Sequence, residues 1–373
     1  MKKELPKLSI IIPCFNSEKT LEEAFFSIIN SSMSVDFEVV LVDDFSTDNT
    51  ATVINNISKK HDFVKTFFNT KNLGGGATRN KAIDISEGEI IFCLDSDDII
   101  ESNTLQRMYN KLFIEGLDAV TISKSIKFKE AIENVTRVDL FLYENEDIPI
   151  NSLFNDGCGL FSTFMIKKEV HYMMGKYPTN HGFDTQHYAF KFLINGFTAR
   201  SCKEAIYYHR ISENNTSYYN REQKSGRINY NWFLILTDFL FIFNFKTKDL
   251  ILNFNPFKSD TNLFQQVCIE NPLNTDFKIN FNPNIKDLYL KELQCKQILD
   301  KHELFYLSLK LNNVNEKILY TSKLFSTGYK SKFLENQILE IINQKFNINL
   351  YDFSAPVFKK RSLLARIKNR LFL

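Results

Sequence analysis

The 373-residue chain has few helix and strand breakers, with 8 prolines and 12 glycines, which excludes a collagen-like repeat and a Pro/Gly-rich low-complexity chain. Its cysteines, Cys14, Cys93, Cys158, Cys202, Cys268 and Cys295, include no Cys-x-x-Cys pair. Neither a zinc site nor a disulfide framework is indicated, and a reducing cytoplasm fits best. Long apolar runs are also missing. The most apolar stretch, Trp232 to Phe245, is interrupted by Thr237 and Asp238; it falls short of the roughly 20 residues a membrane-spanning helix needs and reads as a buried helix. The N-terminus runs from Met1-Lys2-Lys3 straight into Leu8–Ile12 with no small-residue cleavage site, so no export signal is expected. Charge of one sign is not in excess either. A net charge of +2 argues against a general nucleic-acid binder.

What remains is a chain that is 44% hydrophobic, enough for one large α/β domain with an appendage. Through the first hundred residues strand-like and helix-like segments alternate: Leu8–Ile12, Leu21–Asn30, Phe37–Val42, Thr50–Lys59, Phe63–Phe68, Thr78–Ser86 and Glu89–Leu94. That alternation predicts a mostly parallel sheet with crossover helices. Ser17 is expected to cap the first helix, and Ser102 or Asn103 the one near Leu105–Phe113. Strands are expected at Ala119–Ile122, Val138–Tyr143, Leu160–Ile166, Phe197–Ser201 and Ala205–Tyr208, with a helix at Thr185–Ile194. Beyond a boundary placed at residue 220, Ile228–Phe245, Leu288–Leu309 and Phe333–Ile348 have helical spacing, and Phe254–Pro283 reads as a connector.

Three constellations carry chemistry. The apolar run Ile90–Leu94 ends in Asp95-Ser96-Asp97-Asp98. Strand alternation would put Asp95 and Asp97 on one side of the carboxyl edge, where open α/β sheets bind ligands. Two such carboxylates suit a hard divalent ion whose shell is completed by phosphates; the plainer reading is a helix cap with a first-turn acid, which fits Asp98. The strands at Ile10–Ile12 and Val39–Val42 stop at Pro13-Cys14-Phe15-Asn16 and Asp43-Asp44-Phe45-Ser46-Thr47-Asp48. These turns belong at the same edge, where an Asp can accept from a base or a ribose hydroxyl; Asp48 reads better as a helix cap. In Asn72-Leu73-Gly74-Gly75-Gly76-Ala77-Thr78-Arg79-Asn80 three glycines open a helix whose amides suit an anion. It is neither a dinucleotide fingerprint nor a P-loop, since Arg79 stands where a third spaced glycine belongs and no Lys-Ser/Thr follows.

In this order and spacing the motifs resemble the inverting, nucleotide-sugar-dependent glycosyltransferases of family 2, over roughly residues 8 to 215. The resemblance implies a GT-A fold, Rossmann-like with a mostly parallel central sheet, over 1–220 and leaves 221–373 as a mainly helical region. It implies that Pro13, Phe15 and Asn16 line the nucleoside pocket, that Asp43 and Asp44 hold uracil or ribose, that Arg79 lies near the base or the pyrophosphate, and that Gly74 and Ser96 lie on the donor side. Asp95 and Asp97 become the Asp-x-Asp motif for Mn²⁺ or Mg²⁺. The base is expected in His181-Gly182-Phe183-Asp184-Thr185 and is assigned to Asp184, although Phe183 departs from the family's usual acid. The segment Tyr207-Tyr208-His209-Arg210-Ile211-Ser212 with Asn215-Thr216-Ser217 matches the last motif, with His209 toward the metal and Arg210 toward the departing diphosphate; a structural histidine is the other reading. Asp156-Gly157-Cys158-Gly159 corresponds to an acceptor-side loop, and His181 and His187 read as surface residues.

The last fifteen residues hold Lys359, Lys360, Arg361, Arg366, Lys368 and Arg370 without an acid, and Leu363, Leu364, Ile367 and Leu371 recur at helical spacing. A tail over 356–373 lying on an anionic membrane is the functional reading, and a packed C-terminal helix the plain one. The expected protein is a cytoplasmic enzyme, peripheral on the inner face of the plasma membrane. It would move a sugar from a UDP-sugar to a glycan or lipid-linked acceptor in bacterial surface-polysaccharide assembly. The rival readings are a sugar nucleotidyltransferase, which wants a basic Gly-rich loop where Asn16-Ser17-Glu18 stands, and a non-catalytic nucleotide-binding scaffold.

Overall fold

A computed structural model describes residues 7–154, 160, 163–179, 182–211, 227–239, 242–254, 261–269 and 272–273. The expected features at Asp156–Gly159, His181, Ser212, Asn215–Ser217, Leu288–Leu309, Phe333–Ile348 and the basic tail lie outside these residues, as does most of the connector.

The first half follows the sequence pattern closely. Strands β1 (Leu8–Cys14), β2 (Phe37–Asp43), β3 (Val64–Phe68) and β4 (Ile90–Cys93) alternate with helices α1 (Leu21–Ile29), α2 (Thr50–Ser58) and α3 (Gly75–Ile85). They form a parallel sheet in the order β3-β2-β1-β4. The near-continuous apolar strands β1, β2 and β4 are buried on both faces, as parallel strands require, while β3 at the edge of the order is half-buried to exposed. Ile10, Ile12, Val39, Leu41 and Phe92 join the core beneath α1, α2 and α4 (Thr104–Ile114), whereas Ile11, Val40, Val42 and Ile91 face the opposite core. The result is three layers, with each strand's odd and even residues feeding different cores.

Beyond β4 the sheet becomes mixed. The two-residue β5 (Ile99–Ile100), β6 (Ala119–Lys129), β7 (Ala131–Leu140), β8 (Phe164–Lys167) and β9 (Ala199–Arg210) complete the order β4-β8-β6-β9-β5, with β7 paired to β6 as a hairpin. β8 runs antiparallel to both β4 and β6, while β9 is parallel to β6. The two strands expected at Phe197–Ser201 and Ala205–Tyr208 are one, kinked by a bulge where Glu204 takes a φ of +58°. Ser17 does not cap α1 with its side chain. The helix starts at Leu21, and Ser17 contributes only its carbonyl, to the amides of Thr20 and Leu21. At α4 Asn103 holds the cap position but makes no capping bond with its side chain; the carboxylate of Glu101 takes the Asn103 amide at 3.0 Å and the Thr104 hydroxyl at 3.2 Å.

A short α5 (Lys168–Met173) follows β8, and α6 (Asp184–Ile194) packs against a 3₁₀ turn at Ile150–Phe154. The helix expected over Ile228–Phe245 ends early. It spans α7 (Ile228–Asp238) only, and α8 (Phe245–Asn253) begins at the last expected residue, beyond a bridge between Phe243 and Leu273. Part of the stretch read as a connector is a helix, α9 (Leu263–Ile269), and with it these helices share one core with α6: Phe183 meets Trp232 edge-on at 5.3 Å, and Trp232 stacks on Phe264 at 3.7 Å. No helix among the described residues is long and apolar enough to cross a membrane.

At the end of the sheet away from the carboxyl edge, buried Glu38 ties β1, β2 and the turn before β4 together. It accepts from Ser9 Oγ at 2.6 Å and from the amides of Glu87 and Gly88 at 2.5 and 3.1 Å, and pairs with Lys65 at 2.9 Å. Burial raises its carboxyl, but the bonds from Ser9, Lys65, Glu87 and Gly88 outweigh that and hold it below the ordinary glutamate value. A group with a depressed folded pKa contributes stability that is present above its unfolded pKa and lost as pH falls through the folded one. Glu38→Gln is therefore expected to cost roughly 1.5–3 kcal/mol in urea unfolding at pH 7. The gap from wild type should close as pH falls below the ordinary glutamate value; a gap that stays constant to pH 3 would count against this account.

Candidate active site

The carboxyl ends of β1, β2 and β4 meet at one edge, and the loops that follow them build the site. β4 ends at Cys93, so strand alternation stops before the acids. Asp95 to Asp98 form a turn, closed by the Asp98 amide on the Asp95 carbonyl at 3.1 Å. The acids therefore diverge. Asp95 turns to Arg79, at 2.7 Å. Asp98 is buried and accepts from the Tyr207 hydroxyl at 2.7 Å, from the Arg210 amide at 2.7 Å and, at 3.1 Å, from Nδ1 of His209. Ser96 is buried, and its carbonyl takes the Thr20 hydroxyl at 2.9 Å. Asp97 alone of the three acids stays exposed. The protein atoms around it first, then the charges of Asp98 and Asp95, push its carboxyl up to about 7. The turn thus stores like-charge repulsion that an added cation would relieve.

The sequence puts an anion site at the start of α3, and the anion is internal. The buried Asp44 carboxylate accepts the amides of Leu73 and Gly74, both at 2.8 Å, and Asn69 Nδ2 at 2.9 Å. Asp43 is buried as well and takes the amide and hydroxyl of Ser46. Both acids shape the loops at the carboxyl ends of β1 and β2. Asp48 accepts the Thr50 amide at 3.0 Å at the start of α2, as a capping residue would. Gly74, at φ +86°, is the residue before α3. A β-carbon on Gly76 would stand 2.0 Å from the Pro178 carbonyl oxygen and 3.2 Å from the Asp184 β-carbon, so the third glycine exists for close approach of the 177–184 segment.

That approach defines the centre of the site. Arg79, expected near the base or the pyrophosphate, is buried between two acids instead. Its Nη1 lies 2.6 Å from Asp184, its Nη2 2.7 Å from Asp95, and its guanidinium 5.9 Å from the centre of the Tyr177 ring. Asn80, to which the sequence assigned no role, clamps the same segment, exchanging hydrogen bonds of 2.9 Å in both directions with the Tyr177 backbone. Asp184 opens α6 and is buried; burial raises its carboxyl above the ordinary value, against the lowering by Arg79. Phe183, where an acid was expected, is wholly buried against Trp232 and fastens the start of α6 to α7. His187 is not a surface residue. It is buried one turn further along α6, with Nε2 3.2 Å from Asp238 of α7.

The last motif closes the other flank. Asp98 first, against burial, holds His209 up to about 9, so the imidazole is a cation beside the acid turn. Arg210 is committed internally: Nε donates to the Asp97 carbonyl at 2.9 Å, Nη1 to the Glu130 carbonyl at 2.6 Å, Nη2 to the Glu23 carboxylate, and the guanidinium lies over Phe128. It braces the acid turn from behind. Among the described residues no group of three or more His, Cys, Asp or Glu is arranged to hold a metal by itself. In the loops that follow β1, β2 and β3, Phe15, Phe45 and Leu73 are exposed, and Pro13 near the end of β1 is partly buried.

Residues 9–172 match the family model described as Glycosyl transferase family 2. The poly(ribitol-phosphate) beta-glucosyltransferase of Bacillus spizizenii is 40% identical over 147 residues, which are 36% of this chain and 23% of that protein. A Haemophilus influenzae protein described as an uncharacterized glycosyltransferase is 33% identical over 164 residues, covering 39% of this chain and 65% of that one. The chain thus spans under two thirds of the length of both curated relatives. The crystal structure of S. aureus TarS 1-349 in complex with UDP-GlcNAc aligns with a TM-score of 0.52 at 20% identity, over 86% of this chain and 81% of that one. At that identity the likeness speaks for the fold, which is GT-A.

Proposed function

Residues 9–172 form a glycosyltransferase family 2 domain, and on that premise we propose that the chain is a metal-dependent, inverting enzyme moving a sugar from a UDP-sugar to a hydroxyl group. The observation that carries this reading is the pairing of an exposed, charge-crowded Asp97 with a buried Asp184 whose carboxyl is held in place by Arg79.

The donor set fits a hard divalent ion. Asp97 is free, one oxygen of Asp95 is not engaged by Arg79, and the repulsion among Asp95, Asp97 and Asp98 is what a cation relieves. Having only one or two protein carboxylates suits Mn²⁺ or Mg²⁺ whose other ligands are diphosphate oxygens and water. When bound, such an ion offsets the charge that builds on the departing diphosphate. His209 would offer such an ion only Nε2, and only after loss of its proton, because Nδ1 faces Asp98.

The remaining work falls to side chains. Asp184 accepts the proton of the acceptor hydroxyl as that oxygen attacks the anomeric carbon, and its raised carboxyl makes it a better base than an ordinary aspartate. The bond from that carbon to the diphosphate oxygen breaks with its electron pair leaving on the phosphate, and attack from the far side inverts the centre. Arg79 keeps Asp184 oriented and stays charged while doing so. The rim at Pro13, Phe15 and Asn16 takes the nucleoside.

Glycans carrying hydroxyls, including polyol-phosphate polymers such as the one in the Bacillus relative's name, are the acceptor class, in free or lipid-linked form. The reading extends to a division at residue 220, a helical 221–373 region, and a 356–373 tail that holds the enzyme on the cytoplasmic face of an anionic membrane. The test is nucleoside diphosphate release from a panel of UDP-, GDP- and dTDP-sugars with and without Mn²⁺. Release from a UDP-sugar that needs the metal supports the reading. Absence of release together with absence of UDP binding in Mn²⁺ overturns it and favours the scaffold.

A further inference from the structure

Arg79 is bonded to Asp184, the base proposed above, and its own hydrogen bonds leave its place loosely defined. A guanidinium has five N–H donors in a planar fork, and a two-bond contact with one carboxylate is what fixes that plane. Here the fork is shared. Nη1 gives one bond of 2.6 Å to Asp184, Nη2 gives one of 2.7 Å to Asp95, and Nε is buried without a hydrogen-bond partner. The two acids are also mounted differently: Asp184 opens the buried helix α6, whereas Asp95 lies in the acid turn with its side chain 36% exposed. A guanidinium tied in this way can follow the more exposed acid unless another group blocks it.

The group set against it is Tyr177. The guanidinium carbon lies over the Tyr177 ring, 5.9 Å from its centre and within the roughly 6 Å over which a ring face attracts a cation. That ring is itself firmly held. The Tyr177 backbone exchanges two hydrogen bonds of 2.9 Å with the side chain of Asn80, the residue after Arg79 on α3. The ring stacks on that of Tyr188, with centres 3.8 Å apart and planes at 11°. Tyr188, wholly buried on α6, stacks in turn on Phe164 at 5.6 Å, and its hydroxyl meets Nδ1 of buried His171 at 2.7 Å. The stack carries no charge to compete with Arg79. Burial first, then Lys176, Lys191 and Lys168, hold His171 well below its ordinary value, so the imidazole is neutral at pH 7, and burial holds both phenols well above theirs. The Tyr177 ring thus links α3, which carries Arg79 and Asn80, to α6, which carries Asp184 and Tyr188.

We propose that Tyr177 is a positioning residue of the active site: its ring, gripped by Asn80 and Tyr188, sets the place of the Arg79 guanidinium between Asp95 and Asp184 and so the aim of the Asp184 carboxylate. This rests on the reading of Asp184 as the base. α6 fixes the backbone of that residue, and the ring, through Arg79, fixes its oxygen. Tyr177 touches no reacting atom in this assignment.

The experiment follows UDP release in Mn²⁺ from the UDP-sugar that the wild type turns over, with UDP titration calorimetry and thermal unfolding alongside. It compares the full chain with Tyr177→Leu, Tyr177→Phe, Arg79→Lys and the double variant Arg79→Lys with Tyr177→Leu. Tyr177→Leu should lower kcat about tenfold and leave UDP affinity within twofold, and Tyr177→Phe, which keeps the ring face, should restore kcat. An ammonium has no plane for a ring to orient. On the Arg79→Lys background Tyr177→Leu should therefore change kcat by less than twofold, while its effect on the thermal midpoint recurs in full. A residue that only fills the core would lower kcat by the same factor on both backgrounds. That result, or a folded Tyr177→Leu with turnover within twofold of wild type, overturns this inference alone. Where Tyr177→Leu shows no cooperative unfolding, Asn80→Ala, which frees the Tyr177 backbone and keeps its ring, takes its place in the same cycle with the same two outcomes. If Asp184→Asn keeps more than a tenth of wild-type turnover, the base assignment fails and this inference with it. A wild type that neither binds UDP nor releases it overturns the donor reading and both assignments together.

Discussion

Exchanging Asp184 for Asn should reduce turnover about a thousandfold and leave UDP affinity within twofold of wild type. The amide has nearly the carboxylate's shape and still offers Arg79 an oxygen, so the contact at 2.6 Å is kept in outline and α6 stays where it is. What is lost is the capacity to take a proton. General base catalysis contributes about 10²–10⁴ in rate, and a thousandfold corresponds to about 4 kcal/mol of barrier. The two readouts separate roles: a residue that merely supports the fold would move binding, stability and turnover together. A variant that keeps more than a tenth of wild-type turnover would remove Asp184 from the mechanism.

The second large effect is expected at Asp97. Asp97→Ala should abolish transfer and remove the dependence of UDP binding on Mn²⁺, because the only exposed carboxylate of the acid turn is gone. The metal-free protein should also become no less stable. A carboxyl pushed up to about 7 by packing and by Asp98 and Asp95 is one whose ionised form the fold tolerates poorly. Its ionisation opposes folding above the unfolded pKa, so removing it relieves repulsion at pH 7 and above. Lost transfer with an unchanged or raised thermal midpoint is therefore the signature. UDP binding that survives unchanged, metal dependence included, would contradict the role.

The part of the fold written most plainly in the sequence is the part whose elements answer to local rules. β1, α1, β2 and α2 lie within a residue or two of expectation, because an apolar run stopped by Asn, Asp or Ser fixes strand and turn together. The β6–β7 hairpin was legible only in fragments. All of β7 but Asp139 is exposed, so no buried face imposes an alternation to read. The single β9 was read as two strands because the bulge at Glu204 interrupts its period.

Site residues divide the same way. The exposed Asp97 and the helix-opening Asp184 stand where motif and spacing put them at one edge. Arg79, Asp44 and Arg210 were expected to face the donor and are instead consumed by partners 16 to 187 positions away along the chain. A sequence shows which side chains can make charged hydrogen bonds, and only the tertiary arrangement decides whether the partner is a ligand or another residue. His187 was misplaced on the surface for a related reason: α7 covers the side of α6 that an isolated helix would expose.

That covering bears on how the proposed reaction would be staged. From Asp184 to Ile194 nearly every residue of α6 is buried, between the sheet on one side and α7 on another. A helix enclosed all round has no free direction to slide, so the oxygen at its first residue is mounted on one of the least compliant parts of the molecule. An immobile base incurs no ordering penalty when the acceptor docks, which is a preorganised contribution to rate. It also has no travel with which to accommodate acceptors of different shape. In the proposed mechanism selectivity among hydroxyls would then be geometric: the hydroxyl served would be whichever one the acceptor can carry to Asp184, because Asp184 cannot be carried to it.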